Sequence, residues 1–106
     1  MEIGIDIIEI PDLQEKMAAS ALFIQKLLTP IEIQNSNIQT LAGKIAAKEA
    51  IIKTGYGRVG EWQKILILND NSGKPYAALS TGDTIKNLKL SISHTKNTAV
   101  AVAILC

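Results

Sequence analysis

The chain has 106 residues, of which 47% are hydrophobic and only 4% aromatic, and its formal net charge is +1. A nearly neutral charge argues against a nucleic-acid-binding protein, which would show a clustered basic excess. No apolar run approaches the ~20 residues needed to span a bilayer, and the single cysteine, Cys106, excludes a disulfide framework. Glu2 and Asp6 interrupt the apolar start that a secretory signal needs, so we expect one soluble, cytosolic domain over residues 1–106.

The first predicted element is a strand over Met1–Ile10, which contains five isoleucines and is ended by Pro11. Asp6 is an acid on an apolar face of this strand, and Gly4 beside it leaves room for another backbone or a ligand to approach closely. Strict alternation places Ile3, Ile5 and Ile7 on one face and Gly4, Asp6, Ile8 and Ile10 on the other.

Helices are predicted next. The helical spacing of apolar residues indicates one or two helices from Pro11 to Thr29. Thr29 then has the position of an N-cap, with Pro30 at the first helical position and Glu32 three residues after the cap. The short helix that follows is predicted to fade over Asn35–Asn37.

A long central helix and four strands complete the predicted elements. Ser36 and Gln39 have the spacing of a capping box, and glycines at 55 and 57 supply a left-handed stop, so the helix is predicted from Asn37 to about Thr54. Residues 80–87 are predicted as a loop or one helical turn. The strands are predicted at 62–68, 74–79, 88–93 and 98–105, with a tight connection at 69–73 that makes a hairpin of the first two.

Glu49 is the anomaly of the central helix. An ionised carboxylate on an apolar stripe is costly to bury unless a cation or hydrogen-bond donors compensate it. An ordinary ion pair with Lys53, one turn further on, is the simpler alternative, but it leaves Asp6 unexplained. At about 100° per residue, the residues within ~60° of Glu49 are Ile38, Ala42, Ile45, Ala46, Ile52 and Lys53.

Four segments along the whole chain resemble, in order and approximate spacing, the holo-acyl-carrier-protein synthases, which are small 4′-phosphopantetheinyl transferases. They are GIDIIEI (4–10), AGKIAAKEAIIK (42–53), NSGKPY (71–76) and SISHTK (91–96). The resemblance implies an α+β fold, with a small antiparallel sheet packed against a long central helix, and a homotrimer with active sites at the subunit interfaces. It also implies Mg²⁺-dependent transfer of 4′-phosphopantetheine from coenzyme A to a serine of apo-acyl carrier protein, with release of 3′,5′-ADP, in fatty acid biosynthesis.

The resemblance assigns roles to the two misplaced acids. The family's metal-binding Asp and Glu match Asp6 and Glu49, so both are expected to bind Mg²⁺ and to be catalytic. Lys53 matches the family's helix lysine, and is expected to contact the coenzyme A pyrophosphate and to offset charge as it develops. The base that takes the serine proton stays open among Glu49, Asp6 and a water on the metal.

Other residues are expected to contact coenzyme A. Lys44 lies where the family usually carries Arg, and it is expected to attract a phosphate as a point charge. From sequence alone, a solvated surface position for Lys44 and Lys48 is favoured about as much as a contact with a phosphate. His94, with Ser93 and Thr95 at lower weight, is expected to contact the 3′-phosphate or ribose end across a subunit boundary.

Two further acids, Glu9 and Asp12, lie near the end of the first predicted strand. Asp12 stands where the family usually has an Arg that docks the acidic carrier protein, although Lys26 keeps a charge where the family places one. A divergent carrier protein with a matching altered helix is one explanation. Glu9 belongs to the first motif, but alternation turns it away from Asp6, so we expect only a supporting position for it.

Three alternatives from other classes stay open at this point. One is a non-catalytic coenzyme A or nucleotide-binding module on the same fold, against which the joint retention of Asp6, Glu49 and Lys53 argues. Another is a metal-dependent phosphohydrolase that uses the same two acids to cleave the pyrophosphate with water. In the third, the trimer is only an assembly unit.

Overall fold

The computed structural model describes residues 1–34 and 36–106 and has an α+β architecture. The closing strand has the predicted bounds, whereas Trp62, predicted to open the second strand, lies in a 3₁₀ turn over Trp62–Lys64. In chain order the elements are β1 (Glu2–Glu9), α1 (Ile10–Ala19), α2 (Phe23–Leu27), α3 (Pro30–Ile33), α4 (Ile38–Lys53), β2 (Ile65–Asn69), β3 (Pro75–Leu79), β4 (Leu88–His94) and β5 (Thr98–Leu105).

The strands form two antiparallel sheets around α4. β5 lies between β1 and β4 in the first sheet, and β2 pairs with β3 in the second. Alternation along β5 turns Ala99, Ala101 and Ala103 towards the core, where none of them is exposed. Their small side chains allow the long helix to lie close to the sheet. The predicted packing of antiparallel strands against a long central helix is confirmed.

Two glycines set the distance between α4 and the first sheet. A Cβ on Gly4 would overlap the main-chain carbonyl of Ala50 in α4. A Cβ on Gly43 would lie 2.8 Å from Cγ2 of Ile92 in β4, which is inside van der Waals contact. The prediction that Gly4 admits a close approach is therefore confirmed, and the approaching backbone is that of the central helix.

Side-chain caps define where α3 and α4 begin. The carboxylate of Glu32 accepts a hydrogen bond from the backbone N–H of Thr29 (2.9 Å), as the cap signature predicts. The cap of α4 is Asn37 rather than Ser36, because the Asn37 side chain accepts from the backbone N–H of Thr40 (2.8 Å). Asn35, where the sequence predicts α3 to fade, lies outside the described residues.

Lys44 and Lys48 are buried, so the interpretation of a solvated surface is wrong. Lys44 is 8% exposed and Lys48 is not exposed at all. α3 and β2 cover the side of α4 that faces away from the first sheet, so the lysines lie in the interior. The Nζ of Lys48 donates to the Glu32 carboxylate (2.7 Å). The Nζ of Lys44 donates to the main-chain carbonyl of Glu32 (2.7 Å). We call these three residues the Glu32 cluster.

Over β1 and β5 the outer face of the first sheet is apolar and lies opposite α4, whereas β4 contributes polar side chains to that side. Ile3, Ile5 and Ile7 share one face, as predicted, but they are 62%, 56% and 62% exposed. Contiguous apolar surface of this kind marks an interaction site. Strand register continues the face across β5, since Ile5 pairs with Val102 and Ile7 with Val100. We call Ile3, Ile5, Ile7, Val100, Val102 and Ile104 the outer sheet face.

Candidate active site

β1 and α4 bring Asp6 and Glu49 to the same cavity. Asp6 lies on the face of β1 that packs against α4, and Glu49 lies in the second half of that helix. Both line a cavity of about 410 Å³ between β1, α1, α2 and α4. Strand alternation places Asp6 on an apolar face, and helical spacing does the same for Glu49. In the structure both acids lie on the wall of this one cavity, which we call the acidic cavity.

Lys53 contacts Asp6 rather than Glu49. Its Nζ donates to the Asp6 carboxylate (3.2 Å) and to the carbonyl of Ile5 (2.9 Å). Among the residues that the structure describes, no salt bridge joins Lys53 to Glu49, so the simple helical ion pair is not formed. The Lys53 side chain is 53% exposed. A pair this accessible contributes at most about 1 kcal/mol, and Lys53 can therefore exchange Asp6 for a ligand at little cost.

The charge of Glu49 lacks the compensation that a carboxylate on an apolar face requires. Burial raises the pKa of Glu49 above its ordinary value, the charge of Asp6 raises it further, and Lys53 lowers it. A divalent cation held by both carboxylates would reverse this unfavourable arrangement. No group of three or more His, Cys, Asp or Glu in the described ranges could hold a metal ion. Mg²⁺ typically takes only one or two protein carboxylates and fills its other positions with phosphate oxygens and water, so two acids are a sufficient set of protein ligands for it.

Further charged residues surround the two acids. Glu9, Asp12 and Lys16 also line the acidic cavity, and the Nζ of Lys16 lies 5.8 Å from the ring centre of Phe23. Alternation turns Glu9 away from Asp6, yet Glu9 lies on the same wall. Ile7, on the face of β1 opposite to Asp6, lines the cavity as well, so the cavity extends around β1, which is an edge strand of the first sheet. Nothing in the sequence marks Lys16.

Lys44 and His94 line a different cavity. It has a volume of about 270 Å³ and lies between the first half of α4, the β2–β3 hairpin and the end of β4. No Asp or Glu is among its described lining residues, whereas the acidic cavity has four carboxylates and one ammonium group. We call it the basic cavity. The opposite charges of the two walls suit a cation in one and an anion in the other.

Ser93 and Thr95 lie outside both cavities in this chain. Ser93 pairs with Val100, so its side chain lies on the same side of the sheet as the outer sheet face. The Oγ1 of Thr95 accepts hydrogen bonds from the backbone N–H groups of Asn97 (3.3 Å) and Thr98 (3.1 Å) in the β4–β5 turn. Within one chain, the predicted nucleotide contacts are thus divided between the basic cavity and the surface.

Known proteins share this architecture. A family model of the 4′-phosphopantetheinyl transferase superfamily matches residues 2–104. The chain is 35% identical over 117 residues to the holo-[acyl-carrier-protein] synthase of Chlorobium chlorochromatii, with 99% of each covered.

Solved structures agree with the family match. The holo-(acyl-carrier-protein) synthase of Bacillus anthracis, in complex with coenzyme A (3′,5′-ADP), matches with a TM-score of 0.78 and 33% identity, over 98% of this chain and 94% of that one. The Helicobacter pylori holo-[acyl-carrier-protein] synthase, in complex with coenzyme A, gives a TM-score of 0.81 at 27% identity, over 98% and 99%. The four-motif resemblance is confirmed: the chain belongs to the 4′-phosphopantetheinyl transferase superfamily, among its holo-[acyl-carrier-protein] synthases.

Proposed function

We propose that this enzyme transfers 4′-phosphopantetheine from coenzyme A to a serine hydroxyl of an apo-acyl carrier protein and releases 3′,5′-ADP. The observation that carries the proposal is the pairing of an acidic cavity at Asp6 and Glu49 with a basic cavity at Lys44. Coenzyme A has a pyrophosphate, which binds with a divalent cation, and a separate 3′-phosphate, which needs a cationic side chain. The complexes of the relatives with coenzyme A support the same substrate.

Asp6 and Glu49 are the residues that would hold Mg²⁺ in the acidic cavity. The bound ion supplies Lewis-acid stabilisation of negative charge on phosphate oxygens. Lys53 lies beside Asp6 and binds the pyrophosphate, where it offsets the negative charge that develops on the departing 3′,5′-ADP. The cavity wall carries four carboxylates, so a group that can take the proton of the serine hydroxyl lies close to the site.

The fall of transfer activity on the acidic side of the pH profile is expected to reflect the protonation of Glu49. Its raised pKa means that Glu49 becomes protonated at a higher pH than an ordinary glutamate, and the protonated form does not bind Mg²⁺. Transfer at limiting Mg²⁺ should therefore fall as pH drops, beginning above the usual titration range of glutamate. Higher Mg²⁺ should move this fall to lower pH. A Mg²⁺ titration at each pH checks this, and a profile independent of Mg²⁺ would contradict it.

We infer a homotrimer in which neighbouring subunits complete each active site. The apolar outer sheet face supports self-association, and Ser93 lies on that side of the sheet. The separation of Glu49 and His94 into two cavities supports a site shared between subunits.

We also propose that the enzyme serves fatty acid biosynthesis in the cytoplasm. No described helix has the length and apolar character that a membrane crossing requires.

Ile5→Glu is expected to dissociate the assembly and to lower transfer strongly, because it places a charge in the middle of the outer sheet face. Light scattering coupled to size-exclusion chromatography measures the mass. Leu22→Glu is the matched control, since Leu22 is 60% exposed, close to the 56% of Ile5, but lies before α2. A wild-type monomer, or an Ile5→Glu trimer, would refute the inferred assembly.

The transfer itself is tested with full-length enzyme, apo-carrier protein, coenzyme A and Mg²⁺. Intact-protein mass spectrometry should show the addition of one phosphopantetheine per carrier, with an equal amount of 3′,5′-ADP, and EDTA should abolish both. A hydrolase would release free phosphopantetheine without any carrier. A non-catalytic module would bind coenzyme A and release nothing. Either result would overturn the proposed reaction.

A further inference from the structure

The Glu32 cluster lies between the two cavities, and two of its members, Glu32 and Lys48, have no part in the proposed chemistry. Glu32 and Lys48 are both fully buried. Besides Glu32, the Nζ of Lys48 donates to the carbonyls of Leu27 (2.8 Å) and Trp62 (2.6 Å), and Leu27 lines the acidic cavity. Lys44, the third member, lines the basic cavity. The cluster therefore contacts a wall of each cavity.

The Glu32 carboxylate has a full set of donors without Lys44. Its Oε1 accepts from Lys48 (2.7 Å) and from the backbone N–H (2.9 Å) and hydroxyl (3.0 Å) of Thr29. Its Oε2 accepts from the backbone N–H of Ile67 (2.9 Å). A carboxylate bound by four donors is well compensated in the interior.

Among the described residues, the Nζ of Lys44 donates hydrogen bonds only to neutral acceptors. Its Nζ donates to the main-chain carbonyl of Glu32 (2.7 Å) and to the hydroxyl of Ser36 (3.3 Å). Two ammonium groups and one carboxylate leave the cluster with one surplus positive charge, at the lysine that lines the basic cavity. A buried surplus charge is costly until an opposite charge joins it. An anion in the basic cavity would provide that charge.

We propose that Lys48 is a positioning residue for nucleotide binding: it holds the Glu32 carboxylate and so leaves the positive charge of Lys44 for a phosphate of the nucleotide. Lys44 and Lys48 are one helical turn apart and both contact Glu32. Without Lys48, Lys44 is the remaining cation of the cluster, and it would pair with Glu32 instead of the phosphate. This inference rests on the proposed function, because it assumes that coenzyme A is the ligand.

The test is the affinity of the full-length protein for 3′,5′-ADP, measured by isothermal titration calorimetry. Lys48→Met should weaken binding on the order of tenfold, because Glu32 then neutralises Lys44. Glu32→Gln should bind at least as tightly as wild type, since it removes the competing negative charge. Lys48→Met combined with Glu32→Gln should recover affinity to within about threefold of wild type. Lys44→Met should lose binding in every background.

Glu32→Gln separates positioning from a purely structural role. Removing one partner of a buried ion pair leaves the other charge uncompensated, so a structural pair predicts that either single change lowers both stability and affinity. Positioning predicts instead that Glu32→Gln keeps or improves the affinity. Lys64→Met is the matched control, because Lys64 forms an exposed pair with Glu61 and lines neither the acidic nor the basic cavity. Folding of each variant is verified by circular dichroism at the titration temperature. If Lys48→Met does not fold, Glu32→Gln alone decides the matter: affinity more than about threefold below wild type overturns the inference.

The outcomes also distinguish this inference from the proposed function. If wild type does not bind 3′,5′-ADP, both are overturned. If wild type binds and Lys48→Met binds equally well, only the positioning role of Lys48 is overturned, and the proposed transfer reaction stands.

Discussion

Glu49→Gln and Asp6→Asn should each lower phosphopantetheine transfer by at least about 10³-fold, because each removes a carboxylate that would hold the metal, worth several kcal/mol of charge stabilisation. Both acids line the same cavity, and Glu49 has no salt-bridge partner among the described residues. The loss should appear in kcat, measured by mass spectrometry of the carrier, rather than in the amount of folded enzyme. Glu15→Gln is the matched control, since Glu15 is exposed on α1 and does not line the cavity.

Thermal stability gives this prediction a second readout. Because the pKa of Glu49 is raised in the folded state, its contribution to stability is present at low pH and is lost as pH rises through the raised pKa. At neutral pH the ionised carboxylate therefore costs stability, and Glu49→Gln should not lower Tm. Mg²⁺ with coenzyme A should raise Tm of wild type more than that of the variant. Normal Mg²⁺-dependent transfer by either variant would show that these acids do not hold the metal.

Gly4→Ala is expected to destabilise the protein by about 3 kcal/mol or more, which is the upper range for overpacking. The backbone of Gly4 is outside the left-handed region, so alanine fits it, but the added Cβ would overlap the carbonyl of Ala50. β1 and α4 would have to move apart, which also shifts Asp6, two residues further along the strand. Urea unfolding followed by circular dichroism, at a fixed protein concentration, measures the loss.

The control for Gly4→Ala is a glycine with the opposite properties. Gly82 has a φ of +102°, and a Cβ added to it would face open space, with no atom of a packed neighbour within 4 Å. Gly82→Ala should therefore cost only about 1–2 kcal/mol, from the left-handed backbone. Equal losses in the two variants would mean that close packing of β1 on α4 is not what requires glycine at position 4.

Local patterns in the sequence determined much of the fold. A β-branched and alanine-rich composition marks Thr98–Leu105 as a strand, and helical spacing with glycines after it marks α4. Their positions on apolar faces single out Asp6 and Glu49 in the sequence, and in the structure the two acids line one cavity. These features are readable because periodicity reflects which side of an element is buried.

The tertiary structure decided which groups meet across elements. A helical wheel separates Lys44 and Lys48 from the apolar stripe, and it has no information on α3 and β2, which bury both lysines against Glu32. The choice of Asp6 rather than Glu49 as the partner of Lys53 likewise depends on the packing of β1 against α4. Periodicity concerns one element at a time, whereas ion pairing and the division of charge between two cavities depend on contacts between residues distant in sequence.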